Sequence, residues 1–214
     1  MNILSIVLQV FVVLFAITVH EAAHGWAALK MGDPTAYAAG RVTLNPLAHI
    51  DLIGTVLLPL VLILAHQPVF GWAKPVPVNP HNLRHPRKDS LWISLAGPAA
   101  NLATAAVSLV LLRLTLRLAA GMPAASMWAK SVGGLAQLLY MAVMINLALA
   151  VFNLIPIPPL DGSGILAGLL PEQAAAQYER LRPYGFILLI ILVYTNVLNS
   201  IFNPIQSLVL RLLR

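Results

Sequence analysis

Apolar residues along the chain come in long runs, at roughly residues 3–19, 51–65, 91–112, 132–155 and 184–210, and the polar residues collect between them. Several runs reach the ~20 residues that a helix needs to cross a bilayer. The pattern predicts an all-α polytopic membrane protein with about four to six transmembrane helices. It reads as a single membrane-embedded domain over 1–214, with a core over about 1–165 and a C-terminal helical segment over about 184–214. The first helix continues to Lys30, where Gly32, Asp33 and Pro34 supply a stop. Residues 35–50 mix Thr, Tyr, Val and Gly40 before Asn45-Pro46, which reads as extended chain or a short strand.

The run 51–65 is too short for a crossing. As helix it rises only ~22 Å against a hydrocarbon core of ~30 Å, and Pro59 interrupts it, so a re-entrant segment is expected. Gly71 to Pro80 then carries prolines that forbid a central strand but allow an edge strand or a polyproline segment. His81 to Lys88 is a basic link with Arg84, Arg87 and Lys88. The helix from about Leu91 to Leu112 contains Gly97-Pro98-Ala99-Ala100-Asn101, rich in small residues that let helices approach closely in lipid. Residues 113–131 read as a weaker amphipathic link.

A further span, about Val132 to Asn153, ends in Asn153-Leu154-Ile155-Pro156-Ile157-Pro158-Pro159-Leu160-Asp161-Gly162. The prolines must break the helix. Irregular backbone at membrane depth is tolerated only where protein buries it or a wet cavity adjoins it, so the break points to function. Glu172 to Arg182 is a second polar, partly basic link, and the last apolar stretch is interrupted at Asn203-Pro204.

Composition supports the lipid reading: 59% of residues are hydrophobic and 9% charged, against about 25% charged in globular proteins. The formal charge of +6 does not indicate nucleic acid, because the basic residues form no stripe beside stacking aromatics. They sit in the links, where they act as topology signals. With no cysteine, disulfides and thiolate metal sites are excluded. Met1 to Val19 has a signal-like apolar run without a basic n-region, and cleavage near Ala22 or Ala23 would cut the one catalytic motif, so a retained anchor is expected. Trp26, Trp72, Trp92 and Trp128 read as interfacial anchors, His49 and His66 as interfacial residues, and His81 and His85 as part of a solvated link.

That motif is His20-Glu21-Ala22-Ala23-His24. Two histidines four apart stand about 40° from each other on a helix, one turn up, so both imidazoles reach one metal ion, with Glu21 beside them as general base. A catalytic zinc takes three protein ligands, so a third is needed. Asp161 is the best candidate, as the acidic residue at the end of a long apolar span in a proline-broken segment. An ionisable group at such depth costs about 2.5–3.5 kcal/mol on insertion scales, so a partner is expected. Topology agrees: if the chain starts outside and 51–65 turns back, both basic links are cytoplasmic and Asp161 arrives on the same side as the histidines. An ion or metal transporter, or a non-catalytic zinc-binding membrane scaffold, is the competing reading.

These residues resemble the site-2 protease family of zinc intramembrane metalloproteases, in particular its minimal bacterial type. The likeness is carried by His20-Glu21-Ala22-Ala23-His24, Gly97-Pro98-Ala99-Ala100-Asn101 and Asn153 to Gly162, and extends over most of 15–165. The segments Gly40 to Pro46 and Gly71 to Pro80 also match the minimal members, and no stretch is long and polar enough for a PDZ or CBS domain. The resemblance implies one Zn2+ per chain on His20, His24 and Asp161, Glu21 as catalytic base, and Asn101 near the site; since a tetrahedral oxyanion needs donors, Asn101 is also a candidate catalytic donor beside the zinc. It also implies hydrolysis of peptide bonds in or near the transmembrane segments of membrane protein substrates, within a bilayer. The location expected is the cell membrane, multi-pass, with the active site toward the cytoplasmic side. An edge strand at 35–45 or 71–79 is expected to pair with the unwound substrate.

Overall fold

The computed structural model describes residues 3–67, 71–121, 123, 127–195 and 197–213. The described residues are mostly helical and contain no strand. Among the described residues, three helices are long and apolar enough to cross a membrane: α1 (Ile3–Lys30), α4 (Pro86–Ala120) and α5 (Met127–Asn153). A bent C-terminal pair raises the number to four if it counts as one span, the lower end of the expected range. The chain is a multi-pass membrane protein.

α1 ends where the sequence places its stop. Gly32 takes φ +105, a left-handed conformation that closes a helix at little cost only for glycine, and the Asp33 N–H reaches back to the Ala28 carbonyl. The next residues depart from expectation: 35–38 form a short helix, α2 (Thr35–Ala38), and Pro46–His49 a single 3₁₀ turn. Asp33 accounts for the difference, since its carboxylate accepts the Thr35 N–H and hydroxyl and starts a new turn at once.

The short apolar run opens as a π-helical turn, Leu52–Leu57, capped by Asp51, whose Oδ1 accepts from the Ile53 and Gly54 N–H groups. It continues as α3 (Leu58–Leu64), with Pro59 in the first turn, where a missing N–H is tolerated, rather than as an interruption. The Trp72 N–H donates to the Gly54 carbonyl and the Thr55 hydroxyl to the Trp72 carbonyl, so the chain returns to where the run began. That is the geometry of a re-entrant hairpin. Residues 71–79 are extended but pair with no strand, because Pro75 and Pro77 lack the N–H groups that a ladder requires.

α4 is longer than the apolar pattern alone suggests. Pro86 starts it, the Asp89 carboxylate caps the His85 N–H, and good helix formers extend it through residues 113–120 to Gly121. It is the central post, packed against α1, α5 and α6 (Asp161–Leu169). The glycines of α6 allow that packing: a Cβ on Gly164 would strike the Ser94 side chain and one on Gly168 the Leu91 side chain. After α7 (Glu172–Glu179) come α8 (Gly185–Tyr194) and α9 (Val197–Leu212). The break falls near Thr195, whose hydroxyl turns back to the Leu192 carbonyl, and Pro204 lies inside α9. The interruption expected at Asn203-Pro204 is thus displaced toward the N-terminus.

Candidate metal centre

His20 and His24 lie on the α1 face that packs on α4, and both are buried. Asp161 opens α6, so two stretches far apart in sequence meet at one point beside α4. His20 Nε2 and Asp161 Oδ2 are 2.9 Å apart, His24 Nε2 and the same oxygen 3.2 Å, and the two Nε2 atoms 3.1 Å. Among the described residues this is the only cluster of three such ligands.

The outer nitrogens determine what the inner ones are. His24 Nδ1 is 2.6 Å from the Ile93 carbonyl, which can only accept, so that nitrogen carries the proton. His20 Nδ1 is 2.6 Å from Asn101 Oδ1, and the Asn101 amide nitrogen donates to the Ala16 carbonyl and to Asn146 Oδ1, which again makes the imidazole Nδ1–H the donor. With the imidazoles neutral, both Nε2 atoms therefore present bare lone pairs to a carboxylate oxygen that is buried and has no hydrogen-bond donor of its own among the described residues. Three acceptors facing one another repel unless a cation lies among them. A tetrahedral zinc with bonds of ~2.0–2.1 Å holds its ligands about 3.3 Å apart, close to the triangle observed. The residues fit the ion.

Gly97 makes this meeting sterically feasible, because a Cβ there would collide with the imidazoles of both His20 and His24. Glu21 is half-buried at the edge of the cluster, and its Oε2 accepts the Val76 N–H at 3.1 Å. A cavity of ≈ 530 Å³ opens in front, walled by apolar side chains such as Ile17, Leu149 and Phe152 on one side and by the extended segment 71–78 on another.

Four of the five residues singled out from sequence thus border one cavity. Asn101 does not: it is completely buried behind His20, with its amide nitrogen engaged by Ala16 and Asn146, so it orients the imidazole and presents no donor to the cavity. Asn153 lines the cavity with its side chain on the Leu149 carbonyl. His49, expected at an interface, is buried, with Nε2 on the Thr43 carbonyl, whereas His66, His81 and His85 are exposed. The Ile93 carbonyl and the Val76 N–H were not legible, because backbone groups leave no residue-type signature. Gly97 was legible only as a small residue in a packing motif.

A family model described as Peptidase family M50 matches residues 8–193, a span containing all of these residues. The chain belongs to peptidase family M50. This is the site-2 protease family that the motifs resemble, and the M50 chain is a metalloendopeptidase. It is 38% identical over 198 residues, 92% of this chain and 85% of the relative, to the Bacillus subtilis protein named "Putative zinc metalloprotease YwhC". It is 33% identical over 190 residues, 88% of this chain and 67% of the relative, to "Putative zinc metalloprotease Rip2" of Mycolicibacterium smegmatis. The protein of the same name in Mycobacterium tuberculosis is 29% identical over 190 residues, with the same shares covered. No solved structure matches this M50 peptidase.

Proposed function

We propose that this M50 peptidase is a zinc-dependent intramembrane endopeptidase, with His20, His24 and Asp161 as the zinc ligands and Glu21 as the general base. The observation that carries the reading is the buried triangle of two imidazole Nε2 atoms and one carboxylate oxygen, which has no donor among them when the imidazoles are neutral. Zinc there would supply Lewis acidity, lowering the pKa of a water toward ~7 and polarising a carbonyl. Glu21 takes the proton of the attacking water and returns it to the leaving amine, and the Val76 N–H holds one of its oxygens so that the other is free to do so. Ile93 and Asn101 keep both imidazoles in the tautomer that binds metal.

The substrate is a transmembrane segment, which must be unwound locally because a helix hides its carbonyls in i to i+4 bonds. Residues 71–79 serve as the pairing surface: they are extended, most of them line the cavity, and they include Ala73 and Val78, which make no backbone hydrogen bond among the described residues. The other candidate, 35–45, contains a helix and turns and offers no such edge. Arg84, Arg87 and Lys88, together with Arg180 and Arg182, favour a cytoplasmic position for the site-bearing end.

The test is zinc quantification on purified protein, with cleavage of a panel of single-span substrates by wild type and Glu21→Gln. One zinc per chain in both proteins, with cleavage lost only in the variant, is expected. A metal-free wild type, or a variant that cleaves normally, would refute the assignment.

A further inference from the structure

Arg41 plays no part in the chemistry described so far. It is buried, with 7% of its surface exposed, and forms no ion pair among the described residues. Burying a guanidinium without a carboxylate is costly, so its contacts carry the explanation. Its Nη2 donates to the Lys74 carbonyl and to the Pro75 carbonyl, each at 3.2 Å. The second contact matters most, because the peptide unit whose carbonyl Arg41 binds is the unit whose N–H, on Val76, donates to Glu21 Oε2. A cation on a peptide oxygen draws density from the amide and strengthens the N–H as a donor, as chains of hydrogen bonds polarise one another. Lys74 is held as well, since its N–H donates to the His49 carbonyl, so the peptide has little freedom to turn away.

We infer that Arg41 is a positioning residue for Glu21, acting through the single Pro75–Val76 peptide unit. This rests on the reading of Glu21 as the base. The guanidinium fixes and polarises that peptide, and its N–H in turn fixes one oxygen of the carboxylate. The charge of Arg41 thereby acts on the reacting site without touching substrate or metal.

Steady-state cleavage of a purified single-span substrate in detergent tests the inference. Arg41→Gln is expected to lower kcat about tenfold or more, with KM changed less than about threefold and one zinc per chain retained. Arg41→Lys, which keeps a cationic donor, should recover at least about a third of the lost rate. Val76→Pro removes the N–H, and the double variant should be no slower than the slower single, because both act on one peptide. A normal kcat in Arg41→Gln, a loss confined to KM, loss of zinc, no recovery with lysine, or additive losses would each overturn the role of Arg41. Cleavage by Glu21→Gln would instead overturn the underlying assignment, so the two failures are distinguishable.

Discussion

At the scale of single residues, the site depends on groups that bind no substrate. Gly97 is the sharpest case: Gly97→Ala places a methyl group against both imidazoles and is expected to abolish zinc binding and cleavage together, as measured by metal content and substrate turnover. Asn101→Ala should behave differently, weakening zinc affinity about 10–100-fold while cleavage returns at saturating zinc, because the residue orients His20 and faces no reacting atom. A persistent loss of kcat at full zinc occupancy would contradict that role. Asp33 provides a pH signature away from the metal. Burial alone would raise its pKa, but hydrogen bonds from Thr35, Asn82 and Asn79 outweigh burial and hold the carboxyl below its usual value. A depressed folded-state pKa contributes stability that is fully present above the ordinary carboxylate range, ~3.9, and is lost as pH falls through the folded value. The gap in thermal midpoint between wild type and Asp33→Asn should therefore close on acidification below about pH 4. The convergence of His20, Glu21, His24 and Asp161 on one cavity was legible because the pattern of a candidate metal site is written in residue types. The orientation of Asn101 was not, since a buried asparagine looks the same in sequence whether it faces a cavity or a neighbouring helix.

At the scale of elements, the helices were legible and the connections were not. Apolar runs of about twenty residues specify α1, α4 and α5 on hydrophobicity alone. The stretch after α1 carries residues common in strands, yet the Asp33 carboxylate, accepting from the Thr35 N–H and hydroxyl, turns it into α2, and local hydrogen bonding prevails over propensity. The prolines of 71–79 leave the segment extended without a strand partner, and what holds it is Asp33, Arg41, Glu21 and the loop carbonyls, contacts between residues far apart in sequence. α6 gives the prediction that belongs to this scale. It delivers Asp161, and its contact with α4 depends on Gly164 and Gly168 having no side chain. Gly168→Leu should push the helix away from Leu91 and weaken zinc affinity about tenfold or more in a chelator competition, without touching any ligand. Unchanged affinity would show that Asp161 is held by the proline-broken segment alone.

At the scale of the whole molecule, the re-entrant hairpin fixes the topology: with 51–65 returning to its origin, the end of α1, the start of α4 and the start of α6 share one side. The natural absence of cysteine makes this testable, since single cysteines introduced at positions 85 and 180 have no background. Both should react with an impermeant reagent in inverted vesicles and resist it in intact cells. Opposite labelling of the two would contradict the arrangement. The length of α4 has a further consequence. Its 35 residues extend ~52 Å, well beyond a ~30 Å hydrocarbon layer, and Trp92 lies only five residues, or ~8 Å along the axis, before the glycine that faces the histidines. If that indole marks the lipid boundary, scission takes place in the shallow margin of the membrane, a few ångströms from bulk water. A client protein should then be cut near one rim of its anchor, and sliding the anchor by inserted leucines should move the scar along its sequence while its depth stays constant.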